Sequence, residues 1–118
     1  MAKAALVVLA DTETREGLGR VVNAMITAKE LKEAGDEVAI VFDGAGTRWA
    51  AALAADDHRY HALFEQIRDR IGGACAYCAK AFGVRAEVEQ AGIALLEDFE
   101  QHPSLRSYLT EGYSVVTF

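Results

Sequence analysis

Ala4-Ala5-Leu6-Val7-Val8-Leu9-Ala10 is apolar without interruption and β-branched at its centre, the pattern of a strand covered on both faces, as in a parallel sheet. A parallel partner needs a crossover, and the sequence supplies one. From Leu18 the apolar residues Leu18, Val21, Val22, Met25, Ala28 and Leu31 recur at three- and four-residue spacing, with Arg20, Asn23, Lys29 and Lys32 on the opposite side. This amphipathic helix ends at Gly35, a natural C-terminal cap, and Glu37 to Phe42 follows as a second buried strand. A right-handed β-α-β unit is thus expected within the first third of the chain.

The alternation continues. Asp43-Gly44-Ala45-Gly46-Thr47 breaks the second strand and leads into a helix carrying Trp49, Ala52 and Leu53. Tyr60, Leu63, Phe64, Ile67 and Ile71 mark a third helix, predicted to stop at Gly72-Gly73. Ala74 to Tyr77 suits a short strand, Ala79 to Ala91 a helix broken at Gly83, and Gly92 to Leu96 a fourth strand. Ser104 to Glu111 reads as a helix started near His102-Pro103, and Tyr113 to Phe118 as the last strand. The expected architecture is α/β: one domain over residues 1–118, three layers (α/β/α), with a mostly parallel five-stranded sheet. A chain of 118 residues is too short for two independent cores, and a single Pro with ten Gly leaves no linker or low-complexity tract.

Charge and composition exclude several classes of partner. Twelve Lys and Arg against eighteen Asp and Glu leave a net charge of −6, so the long-range field repels nucleic-acid phosphates and anionic membrane surfaces. The first apolar run is preceded only by Lys3 and is far too short to span a bilayer, so a cytoplasmic protein is expected. Cys75 and Cys78 are too few and too close to staple a secreted scaffold; a C-x-x-C in a cytosolic chain points to redox, sulfur or metal chemistry.

In an open parallel sheet the ligand site lies beyond the carboxyl ends of the strands. Here those ends are Asp11 and Thr12, Asp43 and Gly44, Cys75 to Cys78, and Glu97 and Asp98, with Lys80 just beyond the cysteines. A thiolate where a strand hands over to a helix is stabilised by backbone N–H groups; the blander role for either Cys, among Ala74, Ala76 and Ala79, is packing. His58 and His61 complete a Cys2His2 inventory, but they precede the cysteines and read as loop or capping residues, so neither a metal nor any cofactor is expected. Gly17-Leu18-Gly19 opens like a dinucleotide fingerprint, yet Val22 stands where the third Gly belongs and six polar residues separate the motif from its strand. Gly44 to Thr47 lacks the Lys of a phosphate loop, and no G-x-S-x-G elbow surrounds Ser104 or Ser107.

The opening Ala-Leu-Val-Val-Leu, the helix end Leu31-Lys-Glu-Ala-Gly-Asp-Glu-Val38, the segment Val41-Phe-Asp-Gly44, the run Cys75-Ala-Tyr-Cys-Ala-Lys-Ala-Phe-Gly-Val84 and the closing Glu111-Gly-Tyr-Ser-Val-Val-Thr-Phe118 together resemble the DsrE/DsrF-like family of small sulfur-relay proteins. The resemblance implies that Cys75 holds sulfane sulfur as a persulfide and passes it to a partner thiol, with sulfur donor and acceptor proteins as partners. It implies a homo-oligomer, a homotrimer or homohexamer. Trp49, Tyr60, Phe64 and Tyr108, large for so small a domain, are expected to add uncovered surface. Two alternatives stay open: a dithiol redox module using Cys75 and Cys78, and a non-catalytic oligomeric module binding a small ligand. Within the pair, Cys75 is expected to be the more reactive thiol and the less enclosed one.

Overall fold

Burial follows the two apolar runs. In the computed structural model, which describes residues 1–118, β1 (Lys3–Val8) and β2 (Glu37–Phe42) pair in parallel and in register from Lys3 with Glu37 to Val8 with Phe42. Between them runs α1 (Arg15–Glu33), capped by the Thr14 hydroxyl, which accepts the Gly17 N–H at 2.9 Å. After β2 come α2 (Thr47–Ala54), α3 (His61–Ile67), β3 (Ile71–Cys75), α4 (Ala76–Ala81), α5 (Arg85–Gln90), β4 (Leu95–Leu96), α6 (Leu105–Thr110) and β5 (Ser114–Thr117). The sheet order is β4-β3-β2-β1-β5, and every pairing is parallel. The expected α/β fold with five strands is what forms. No helix is long and apolar enough to cross a membrane.

The two faces of the sheet are covered unequally. Three right-handed crossovers in one direction, from β1 to β4, put α1 to α5 on one side, and the single return to β5 puts α6 on the other. On the thick side Leu6, Val8, Ile40, Phe42 and Ala74 pack against Val21, Met25, Trp49, Leu53, Phe64, Ile67 and Val88 in one core. Each fully buried Leu, Ile or Phe contributes roughly 1.5–3 kcal/mol. The alternate strand residues Ala5, Val7 and Val41 are just as buried but lie outside that core, beneath the thin side. There Tyr108 of α6 reaches across the sheet, its hydroxyl 3.0 Å from where a Cβ on Gly72 would stand. Short α6 leaves apolar surface uncovered: Phe99 is 67% exposed and Leu109 59%.

Four expectations are corrected. Gly72 and Gly73 do not end the third helix; helical structure stops by Arg70 and both glycines lie within β3. The reason is steric. Gly73 has φ +150°, and a Cβ there would stand 2.6 Å from the Ala94 carbonyl oxygen and 2.7 Å from Leu96 Cγ, so glycine is required by the approach of β4. Tyr77 belongs to α4 rather than to the strand, because Cys75 already acts as the helix cap. The fourth strand contracts to Leu95–Leu96 because Gly92, at φ +77°, is spent turning the chain out of α5. Trp49 and Phe64 lie in the core rather than on uncovered surface, while Tyr60 and Tyr108 are part-buried.

These packing facts set opposite signs for two glycine substitutions. Gly73→Ala is expected to destabilise the fold by about 2–4 kcal/mol, since strain at positive φ and overpacking add. Gly19→Ala, in the exposed middle of α1 with nothing within 4 Å of the new methyl group, is expected to stabilise by up to about 1 kcal/mol. Urea unfolding of the two variants beside the parent checks both, and equal midpoints would remove the steric account of β3.

Candidate functional site

Three chain segments converge at the carboxyl ends of β2 and β3. Asp43 directly follows β2, where its carboxylate accepts the Gly44 N–H at 2.8 Å and so fixes its own orientation. Cys75 is the last residue of β3, and its Sγ accepts the Cys78 N–H at 3.4 Å, in the place a Ser or Asp cap would use. Cys78 sits one turn along α4 on the same side. Both cysteines are free; Cys75 is fully buried and Cys78 half-buried.

The third segment is a tight turn from far along the chain. Phe99 and His102 exchange backbone hydrogen bonds at 2.9 and 2.8 Å around Glu100 (φ +50°) and Gln101 (φ +65°). Two consecutive positive φ values are what a type I′ turn demands, normally met by Asn-Gly; left-handed backbone at Glu and Gln costs about 1–2 kcal/mol each. The strain is held by docking. The Tyr77 N–H donates to the Gln101 carbonyl at 2.9 Å, and the Tyr77 ring lies against the His102 ring with centroids 4.9 Å apart. His102 Nδ1 is thereby placed 3.1 Å from Cys75 Sγ. One ligand atom from each of Asp43, Cys75, Cys78 and His102 falls within 4.8 Å of all the others.

Burial decides the state of the inner thiol. It pushes Cys75 up to about 12; the Cys78 amide pulls the other way, and the negative charge of Asp43 adds to the rise. At neutral pH Cys75 is therefore a thiol, able to donate to His102 Nδ1 when the ring proton sits on Nε2. This reverses the expected order of enclosure: Cys75 is the covered sulfur and Cys78 the accessible one, because the strand end is roofed by the Glu100-Gln101 turn.

Of the strand-end residues singled out in the sequence, the structure gathers Asp43, Cys75 and Cys78, with Gly44 beside them. Asp11 and Thr12 stand apart at the end of β1. The Asp11 carboxylate accepts from the Thr12 N–H at 2.6 Å and from the Arg48 guanidinium at 2.8 Å. Lys80 is exposed on α4, where with Tyr77, Ala81 and Gln101 it lines an open depression of about 300 Å³. His58 accepts the Tyr60 N–H at 3.0 Å, and His61 Nδ1 lies 2.8 Å from the Leu53 carbonyl, so both serve the α2–α3 corner and neither joins the thiols. The histidine that does join them is His102, which in the sequence marks only the start of a helix. Its partner Cys75 is 27 residues away, and Glu100-Gln101 carries none of the Gly or Asn that would mark a tight turn.

A model of the DsrE/DsrF-like family matches residues 4–118. The uncharacterized protein MJ0733 of Methanocaldococcus jannaschii is 35% identical over 94 residues, which is 80% of this chain and 76% of that protein. Among solved structures, a conserved protein of unknown function from Bacteroides thetaiotaomicron, BT1422, superposes with a TM-score of 0.65 over 97% of this chain and 94% of its own. At 20% identity that likeness shows a shared fold.

Unequal cover makes a direct prediction. In the folded protein at neutral pH, iodoacetamide is expected to alkylate Cys78 at least roughly tenfold faster than Cys75, and the two rates to converge in denaturing urea. Peptide mass spectrometry over a time course reads both sites, and faster labelling of Cys75 in the native state would contradict its burial.

Proposed function

Because the chain belongs to the DsrE/DsrF-like family, we propose that it carries sulfane sulfur in a relay, stored as a persulfide on Cys75 and exchanged with partner thiols through Cys78. The observation that supports this reading is the closeness of the two sulfurs. A sulfur atom in transit between thiols lies in line between two partial S–S bonds, so the outer sulfurs must stand roughly 4–5 Å apart. The Cys75 and Cys78 sulfurs are within 4.8 Å of each other.

The chemistry then runs in two exchanges. The Cys78 thiolate attacks the terminal sulfur of a donor persulfide R–S–SH, forming Cys78–S–SH and releasing R–S⁻. His102 Nδ1, 3.1 Å from Cys75 Sγ, takes the Cys75 proton, and the Cys75 thiolate attacks the terminal sulfur of Cys78–S–SH, giving Cys75–S–SH and returning Cys78 to a thiolate. Both steps reverse when an acceptor thiol arrives. Burial serves storage, since water and oxidants are kept from Cys75, while exposed Lys80 adds positive field at the mouth. Reduced thiols suit the cytoplasm. The same closeness supports a dithiol variant: attack of Cys75 on the inner sulfur of Cys78–S–SH forms a Cys75–Cys78 disulfide and expels HS⁻.

Incubation with a persulfide donor followed by peptide mass spectrometry is expected to find one added sulfur on Cys75. Cys78→Ser should slow loading at least about tenfold, Cys75→Ser should leave a short-lived label on Cys78, and His102→Gln should slow transfer to Cys75 by about 10–100-fold. Release of sulfide with disulfide formation identifies the dithiol variant, and absence of any added sulfur overturns the carrier reading.

Self-association into a trimer or hexamer is part of the same proposal. Phe99 (67% exposed) lines a depression with Leu105 at the start of α6, Leu109 (59%) is exposed on α6, Val116 (42%) is exposed on the edge strand β5, and Tyr77 (53%) lies beside the thiol site. Light scattering is expected to report three or six times the 12.7 kDa chain mass, falling in Leu109→Glu; a 12.7 kDa particle for the parent would refute it.

A further inference from the structure

We infer that Asp43, Cys75, Cys78 and His102 form a binding site for a zinc ion. The four residues come from three separate segments, yet one donor atom from each lies within 4.8 Å of the rest. Tetrahedral zinc with bonds of about 2.0–2.3 Å sets donor-to-donor edges of roughly 3.3–3.8 Å. Cys75 Sγ and His102 Nδ1, at 3.1 Å, already stand close to such an edge, and the others close by side-chain movements of about 1 Å or less. Two thiolates, one imidazole nitrogen and one carboxylate are the donor set zinc favours over calcium or magnesium.

The surroundings are those of a built site. The Asp43 carboxylate is oriented by the Gly44 N–H at 2.8 Å, Cys75 Sγ by the Cys78 N–H at 3.4 Å, and the His102 ring by the Tyr77 ring at 4.9 Å. The spacing Cys75-x-x-Cys78 across a strand end and a first helical turn is a common half of zinc sites. Binding exchanges two protons for the ion: Zn²⁺ and two Cys–SH give a dithiolate complex and two H⁺, and the Asp43 carboxylate leaves the centre with one net negative charge. All four positions of the ion are filled by protein, so the zinc form masks both thiols. The site shares its sulfurs with the proposed carrier chemistry but needs none of that chemistry.

The test uses the full chain, reduced and stripped with a chelator, and titrated with Zn²⁺ against a chromophoric competitor and separately with Co²⁺. One Zn²⁺ per chain is expected, with a rise in melting temperature of roughly 10 °C at a hundredfold excess over Kd. Co²⁺ should give the intense visible bands of a tetrahedral ion and a thiolate charge-transfer band. Cys78→Ser and His102→Ala, at half-buried positions that leave the core intact, should each weaken binding at least about tenfold, and Cys78→Ser should reduce the charge-transfer band by about half. His58→Ala combined with His61→Ala should leave the zinc stoichiometry and affinity unchanged. The inference is overturned by fewer than about 0.2 Zn²⁺ per chain at micromolar free zinc, by affinity unaltered in Cys78→Ser and His102→Ala, or by loss confined to the His58/His61 variant. Persulfide loading measured on the zinc-free protein is a separate readout, so either proposal can fail without the other.

Discussion

A parallel strand has to be covered on both faces, and in this chain that requirement governs everything else. The β1–β2 pairing sets Leu6, Val8, Ile40 and Phe42 toward one side and Ala5, Val7 and Val41 toward the other, all of them buried. Five helices answer the first demand and one short helix the second. From that imbalance follow the crossover directions, the gathering of strand ends at β2 and β3, and the apolar surface left around Phe99 and Leu109.

The site is assembled by local costs that the fold absorbs. Glu100 and Gln101 hold left-handed backbone without glycine, and the hydrogen bond from Tyr77 to Gln101 keeps them there. The return is a histidine brought against a sulfur from 27 residues away. Gly73 makes a comparable concession: its missing side chain lets β4 approach, and β4 in turn pairs with Ala74 and Cys75 at the end of β3.

Desolvation and hydrogen bonding act on the Cys75 thiol in opposite ways. Burial, with the neighbouring Cys78 sulfur, holds Cys75 protonated, while the Cys78 amide and the His102 ring supply ways for it to lose that proton to a reaction or to an ion. A thiol that is inert alone and responsive to what arrives beside it suits both storage of sulfur and capture of zinc, and the two occupants exclude each other.

What the sequence determined by itself is local in origin. Continuous apolar runs at Ala4–Ala10 and Glu37–Phe42 with a helical repeat between them are periodicities, and periodicity is written in neighbouring residues, so the α/β class, the parallel sheet and the place of Cys75 and Cys78 at a strand end were legible. Gly72-Gly73 misled because glycine looks the same whether it ends a helix or admits a neighbouring strand; only the position of Leu96 distinguishes the two. The burial order of the cysteines and the recruitment of His102 and Asp43 to them were decided by tertiary structure alone. Each depends on which segments meet at the end of β3, and a turn of Glu and Gln, held by its own Phe99–His102 hydrogen bonds and by its docking on α4, carries no signal until the chain has folded.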